Sequence, residues 1–121
     1  MTKLAPPSGG VLIVLTTVAN QADAQALARV LVEKRLAACA QINAIESVYR
    51  WEGAIQQGTE WRILLKTASD RYQALEAAIL QHHPYDLPAI VALPSSHALA
   101  SFAQWVGEES GAQASPPQAQ G

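Results

Sequence analysis

The densest cluster of reactive side-chain types is His82-His83-Pro84-Tyr85. Imidazole nitrogen binds copper, zinc and nickel, so the pair is a candidate metal site, with Asp86 and Tyr85 as the nearby oxygen donors. Adjacent helical residues point about 100° apart, so both rings reach one ion only where the helix breaks between them. Pro84 disfavours helix at His83 and supplies such a break. The structural alternative is a histidine pair at a helix C-terminus, favoured by the helix dipole when protonated.

A second constellation is aromatic. Tyr49, Trp51 and Trp61 lie in strand-like segments beside Glu52, Glu60 and Lys66. Packing is the default for such rings, but apolar walls with a few convergent charges also make ligand pockets. Lys66, next to Leu64 and Leu65, must snorkel to water or pair with a carboxylate such as Glu60 or Glu52. Cys39 has small neighbours and reads as a buried hydrophobe. No phosphate loop and no nucleophile–base pair stands out, so the chain is not expected to be an enzyme.

These groups need a scaffold. Val11–Leu15 is aliphatic throughout and reads as a central strand. Asn20 caps a helix over Gln21–Arg35, with Ala24, Leu27, Ala28 and Leu31 as its stripe. Ala37–Trp51 is extended, with a bulge expected near Asn43–Glu46. Glu52-Gly53 turns the chain, and a second turn is expected at Gln56-Gln57-Gly58. Beyond it Trp61, Ile63, Leu65 and Thr67 share one face and Glu60, Arg62, Leu64 and Lys66 the other. Ser69 caps a helix over Asp70–His82. A strand follows at Ala89–Leu93, and Ser95 or Ser96 caps a last helix carrying Leu99, Phe102, Ala103 and Val106. The order predicts an α+β, ferredoxin-like βαββαβ sandwich with an added C-terminal helix. Residues 1–9 read as a leader, 10–109 as one domain and 110–121 as a disordered tail.

Composition narrows the function. The 121 residues include 50% hydrophobic positions, 23 of them alanine, and only 15% charged ones. Such an apolar, charge-poor chain hides surface against copies of itself. Eight Lys and Arg against ten Asp and Glu argue against a nucleic-acid partner. No apolar run approaches a membrane span, and one cysteine excludes an internal disulfide. Pro-Pro and Gly-Gly separate a single Lys3 from the first apolar run, so a cytoplasmic protein is expected.

Three stretches together resemble the CutA divalent-ion tolerance family: Glu33-Lys34-Arg35-Leu36-Ala37-Ala38-Cys39-Ala40; Ser47-Val48-Tyr49-Arg50-Trp51-Glu52-Gly53 with Glu60 and Leu65-Lys66-Thr67; and His82-His83-Pro84-Tyr85-Asp86-Leu87-Pro88 with Leu93-Pro94. The likeness runs from about Val11 to Trp105. It implies a ferredoxin-like protomer in a homotrimer similar to the PII signalling proteins, and a link to tolerance of copper and other divalent ions. It places metal binding on His82 and His83 and on a cysteine whose position here is Thr16, a poor ligand for copper. An acid found in some members just after the second proline is here Ala89. Two alternatives stand beside metal binding. One is a trimeric sensor holding a small anion in intersubunit clefts lined by Tyr49, Trp51, Glu52, Lys66 and Tyr85. The other is an assembly scaffold with a protein partner.

Overall fold

The computed structural model describes residues 10–111. Strand β1 (Val11–Val18) leads into helix α1 (Gln21–Glu33), then β2 (Cys39–Trp51), β3 (Ala54–Ala68), helix α2 (Tyr72–His82), β4 (Ile90–Pro94) and helix α3 (Ala100–Glu109). The four strands form one antiparallel sheet in the order β2-β3-β1-β4. This is the expected α+β, ferredoxin-like order.

Residue alternation decides which face is buried. Leu12, Val14, Thr16 and Val18 of β1 and Ile63, Leu65 and Thr67 of β3 face the helical layer and are buried. They meet Ala24, Leu27, Ala28 and Leu31 of α1 and Leu75, Ala78 and Ile79 of α2. Asn20 caps α1 by accepting a hydrogen bond from the Asp23 N–H at 2.8 Å. The opposite face carries Ile13, Leu15, Leu64, Val91 and Leu93. Helix α3 covers only one end of it, where Ala103 and Val106 pack on Val11 and Ala38.

Several local expectations change. Helix α1 stops at Glu33, because Arg35 takes a left-handed φ of 60°. There is no bulge in β2: its register with β3 is unbroken from Cys39↔Lys66 to Trp51↔Ala54. Nor is there a turn at Gln56-Gln57-Gly58, which lies within β3. The single reversal is Glu52-Gly53, both at positive φ (53° and 81°), the geometry that suits the twist of a two-residue hairpin. A 3-10 turn at Ser69–Arg71 precedes α2, which ends at His82 as Pro84 requires. No serine caps α3; its N-cap is Leu99, while the Ser95 hydroxyl donates to the Val11 carbonyl at 2.7 Å.

The domain also continues past residue 109. Ser110 is fully buried, donates to the Val106 carbonyl and accepts from the Ala68 N–H. Arg71 donates to the Ser110 carbonyl at 2.7 Å, and Arg35 to the carbonyls of Glu108 and Gly111. The expected leader and most of the expected tail lie outside the described residues.

Strand β1 pairs with β3 only from Trp61 onward. The Ile45–Glu60 part of the hairpin is therefore a two-stranded ribbon that overruns the sheet. An isolated ribbon is marginal in water. This one also exposes Val48 (65%), Tyr49 (48%), Trp51 (46%) and Ile55 (61%).

Candidate functional site

The α2–β4 connection crosses the end of β1 and meets the root of the ribbon. Helix α2 breaks after His82 because Pro84 holds His83 extended (φ −78°, ψ 136°). That break turns the His83 ring inward, where it is largely buried. Its Nε2 lies 2.8 Å from the Thr17 carbonyl, and its Nδ1 accepts from the Tyr85 N–H at 3.1 Å. A carbonyl on one nitrogen and an N–H on the other define the neutral tautomer protonated at Nε2. The same bonds bring Tyr85 back against His83, with ring centroids 4.9 Å apart.

Tyr85 then donates through its hydroxyl to Glu60 Oε2 at 3.0 Å. Burial first, then the hydrogen bond and charge of Glu60, with smaller effects from Tyr49 and Asp23, push the phenol up to about 12 from 10.0. A raised phenol pKa means stability that is present below pH 10 and is lost as pH climbs through 12. Absorbance titration at 295 nm checks this. The part of the tyrosinate signal lost in Tyr85→Phe is expected to rise about two pH units later than an ordinary phenol. Taking the difference matters because Glu76 also raises Tyr72.

Tyr85 and Glu60 form one wall of a cleft of about 770 Å³, the size of a small-molecule site. The ribbon supplies Tyr49, Trp51, Val48 and Glu46, β1 supplies Thr17, and the α2–β4 connection supplies Asp86, Leu87 and Pro88.

The residues singled out in the sequence divide between places. Tyr49, Trp51 and Tyr85 share the cleft. Glu52 sits in the hairpin turn and does not line it. Lys66 lies at the far end of β3, and its Nζ donates to Gln41 Oε1 at 3.0 Å and sits 5.6 Å from the centre of the Phe102 ring. Neither Glu60 nor Glu52 is its partner, and within one protomer it cannot serve a ligand held by Tyr85. The histidines also separate. His82 is exposed on the last turn of α2, whereas both nitrogens of His83 are occupied by Thr17 and Tyr85.

Thr16 is fully buried, and its hydroxyl has no hydrogen-bond partner among the described residues. Cys39 is half-buried, opposite Lys66 in the strand register. Among the described residues no three His, Cys, Asp or Glu side chains gather as a metal cluster would require. No helix there is long and apolar enough to cross a membrane.

Glu46 and Thr17 were not singled out in the sequence, and Asp86 was named there only as an oxygen donor beside the histidines. Folding β2 onto β3 about Glu52-Gly53 would have found Glu46, since that register sets it opposite Thr59, whose hydroxyl donates to it at 2.9 Å.

The chain is thus a ferredoxin-like α+β protein that carries a cleft of aromatic and acidic side chains where a long ribbon leaves the sheet. Comparison with known proteins narrows this class. The profile of the CutA1 divalent ion tolerance protein family matches residues 12–109, and the chain belongs to that family. It is 37% identical over 100 residues to the divalent-cation tolerance protein CutA of Thermus thermophilus, covering 82% of this chain and 97% of that one. Among solved structures, the CutA1 of Ehrlichia chaffeensis superposes with a TM-score of 0.80 at 38% identity, covering 84% of this chain and 95% of that one. The CutA of Archaeoglobus fulgidus, named as a periplasmic divalent cation tolerance protein, gives 0.80 at 32% identity, covering 83% and 98%.

Proposed function

We propose that this protein serves divalent-cation tolerance as a non-catalytic homotrimer whose recognition element is the Tyr85–Glu60 cleft. The observation that carries this reading is the hydrogen bonding of His83. With both nitrogens used inside the protomer, the His-Pro-Tyr segment acts as a strut that presents Tyr85 to Glu60. The trimer is supported by the apolar sheet face, where Val91 and Leu93 are 53% and 47% exposed in one protomer.

A second reading keeps copper on His82 and His83 together, favoured by the exposure of the His82 ring. It requires the His83 ring to leave Thr17 and Tyr85. Growth on copper separates the two. In a strain lacking its own copy of the gene, the parent protein is expected to restore growth, His82→Ala to restore it equally, and Tyr85→Phe or Glu60→Gln to fail. Calorimetric titration with Cu(II) is the companion measurement. The cleft reading expects weak binding that His83→Ala leaves unchanged. One strong site per chain, lost in both histidine variants with the trimer intact, would replace it with the metal-pair reading.

A further inference from the structure

We propose that the cleft takes an organic cation: an alkylated or primary ammonium group caged by Tyr49, Trp51 and Tyr85 and faced by Glu46, Glu60 and Asp86. The proposal rests on the cleft reading given above and adds the ligand class. Three aromatic rings and three carboxylates line the same space, and among the described residues no Lys, Arg or His lines it. The nearest cations in register are Arg62, two residues along β3 and opposite Thr17, and Arg50, between Tyr49 and Trp51 on β2. Neither belongs to the lining. The expected anion would draw its cation from Lys66, which lies away from this cleft at the far end of β3 in the same protomer, and the lining itself carries the opposite charge.

The chemistry also separates an organic cation from a bare metal ion. A metal ion needs several oxygen or nitrogen ligands converging within about 2.0–2.6 Å. Two of the three carboxylates already accept hydrogen bonds, Glu46 from Thr59 and Glu60 from Tyr85. Those bonds hold them as fixed negative walls. An ammonium group instead interacts with ring faces at up to about 6 Å and takes its counter-charge from nearby carboxylates without direct ligation. The phenol of Tyr85 is raised first by burial, then by the hydrogen bond and charge of Glu60, with smaller charge effects from Tyr49 and Asp23. At about 770 Å³ the cleft has room for a body larger than the ammonium head, and Val48, Leu87 and Pro88 offer it apolar walls.

The test uses the full-length protein and three probes of nearly one shape: choline, its neutral isostere 3,3-dimethylbutanol, and the anion 3,3-dimethylbutanoate. Amide chemical shifts of Val48, Tyr49, Trp51 and Asp86 report occupancy. Choline is expected to shift them saturably and the other two probes weakly or not at all. Asp86→Asn is expected to weaken choline about fivefold, the scale of one exposed cation–π or ion-pair contribution, and to leave 3,3-dimethylbutanol unchanged. Equal binding of the neutral probe, or preference for the anion, overturns the cation class while leaving the cleft as a ligand site. Saturable shifts from Cu(II) or Mg(II) with none from choline overturn it in favour of an inorganic ion. If no probe shifts these amides, the cation class and the cleft reading fall together.

Discussion

Leu93→Asp is expected to convert the proposed trimer into single, folded protomers, seen by light scattering behind size exclusion. Leu93 lies on edge strand β4, opposite Ile13, and is 47% exposed in one protomer. A carboxylate there meets water in an isolated chain, so folding of the protomer loses only the small strand preference of leucine. In a trimer that covers this face the same carboxylate is desolvated without a partner. An uncompensated buried charge costs about 3–5 kcal/mol, roughly two to four orders of magnitude in each association constant. Circular dichroism separates the outcomes: a monomer with native secondary structure supports the covered face, and an unchanged trimer places the interface elsewhere. Asp at Gln73, an exposed position on α2, is the control and is expected to change nothing.

The face that Leu93 probes was legible in the sequence as a pattern. Period-two alternation in β3 put Trp61, Ile63, Leu65 and Thr67 on one side and Glu60, Arg62, Leu64 and Lys66 on the other; Ile63, Leu65 and Thr67 are fully buried and Trp61 is half-buried. The Glu52-Gly53 reversal and the end of α2 at Pro84 were legible for local reasons, a positive-φ pair and a missing helical option. The ribbon was not. Gln56-Gln57-Gly58 has turn composition, but a strand paired along its whole length tolerates one glycine, and Gly58 has open space where a side chain would go. Reading that segment as a turn shortened β3 and drew Lys66 towards the aromatics. In the full strand, Glu60 and Lys66 share a face but lie six residues apart, about 20 Å at the rise of a strand. A residue pattern gives the face. Which groups stand across from it depends on the partner strand, which only pairing settles.

The histidine pair shows a second limit. Two adjacent imidazoles look equivalent in a sequence, and the resemblance to the family assigns both to metal. The break at Pro84 makes them unlike: it leaves His82 on the exposed last turn and turns His83 towards Thr17. Which nitrogens are free depends on a carbonyl at residue 17 and an N–H at residue 85, backbone groups that no side-chain motif records.

That difference sets the other large effect, on stability. His83→Ala is expected to lower the unfolding free energy by about 2–5 kcal/mol, measured by chemical denaturation. The substitution orphans the Thr17 carbonyl and the Tyr85 N–H, each about 1–3 kcal/mol when buried without a new partner. It also removes the ring that packs at 4.9 Å on Tyr85. His82→Ala, on an exposed ring, is expected to stay within about 0.5 kcal/mol of the parent. His83→Gln tests the cause: an amide can replace one of the two bonds and should recover part of the loss. Tyr85 reports the local consequence, because a freed α2–β4 connection releases its hydroxyl from Glu60 and returns the phenol towards its ordinary pKa. If His83→Ala costs no more than His82→Ala and Tyr85 still titrates near 12, His83 is not the strut. The cleft would then owe its shape to Pro84 and Pro88 alone.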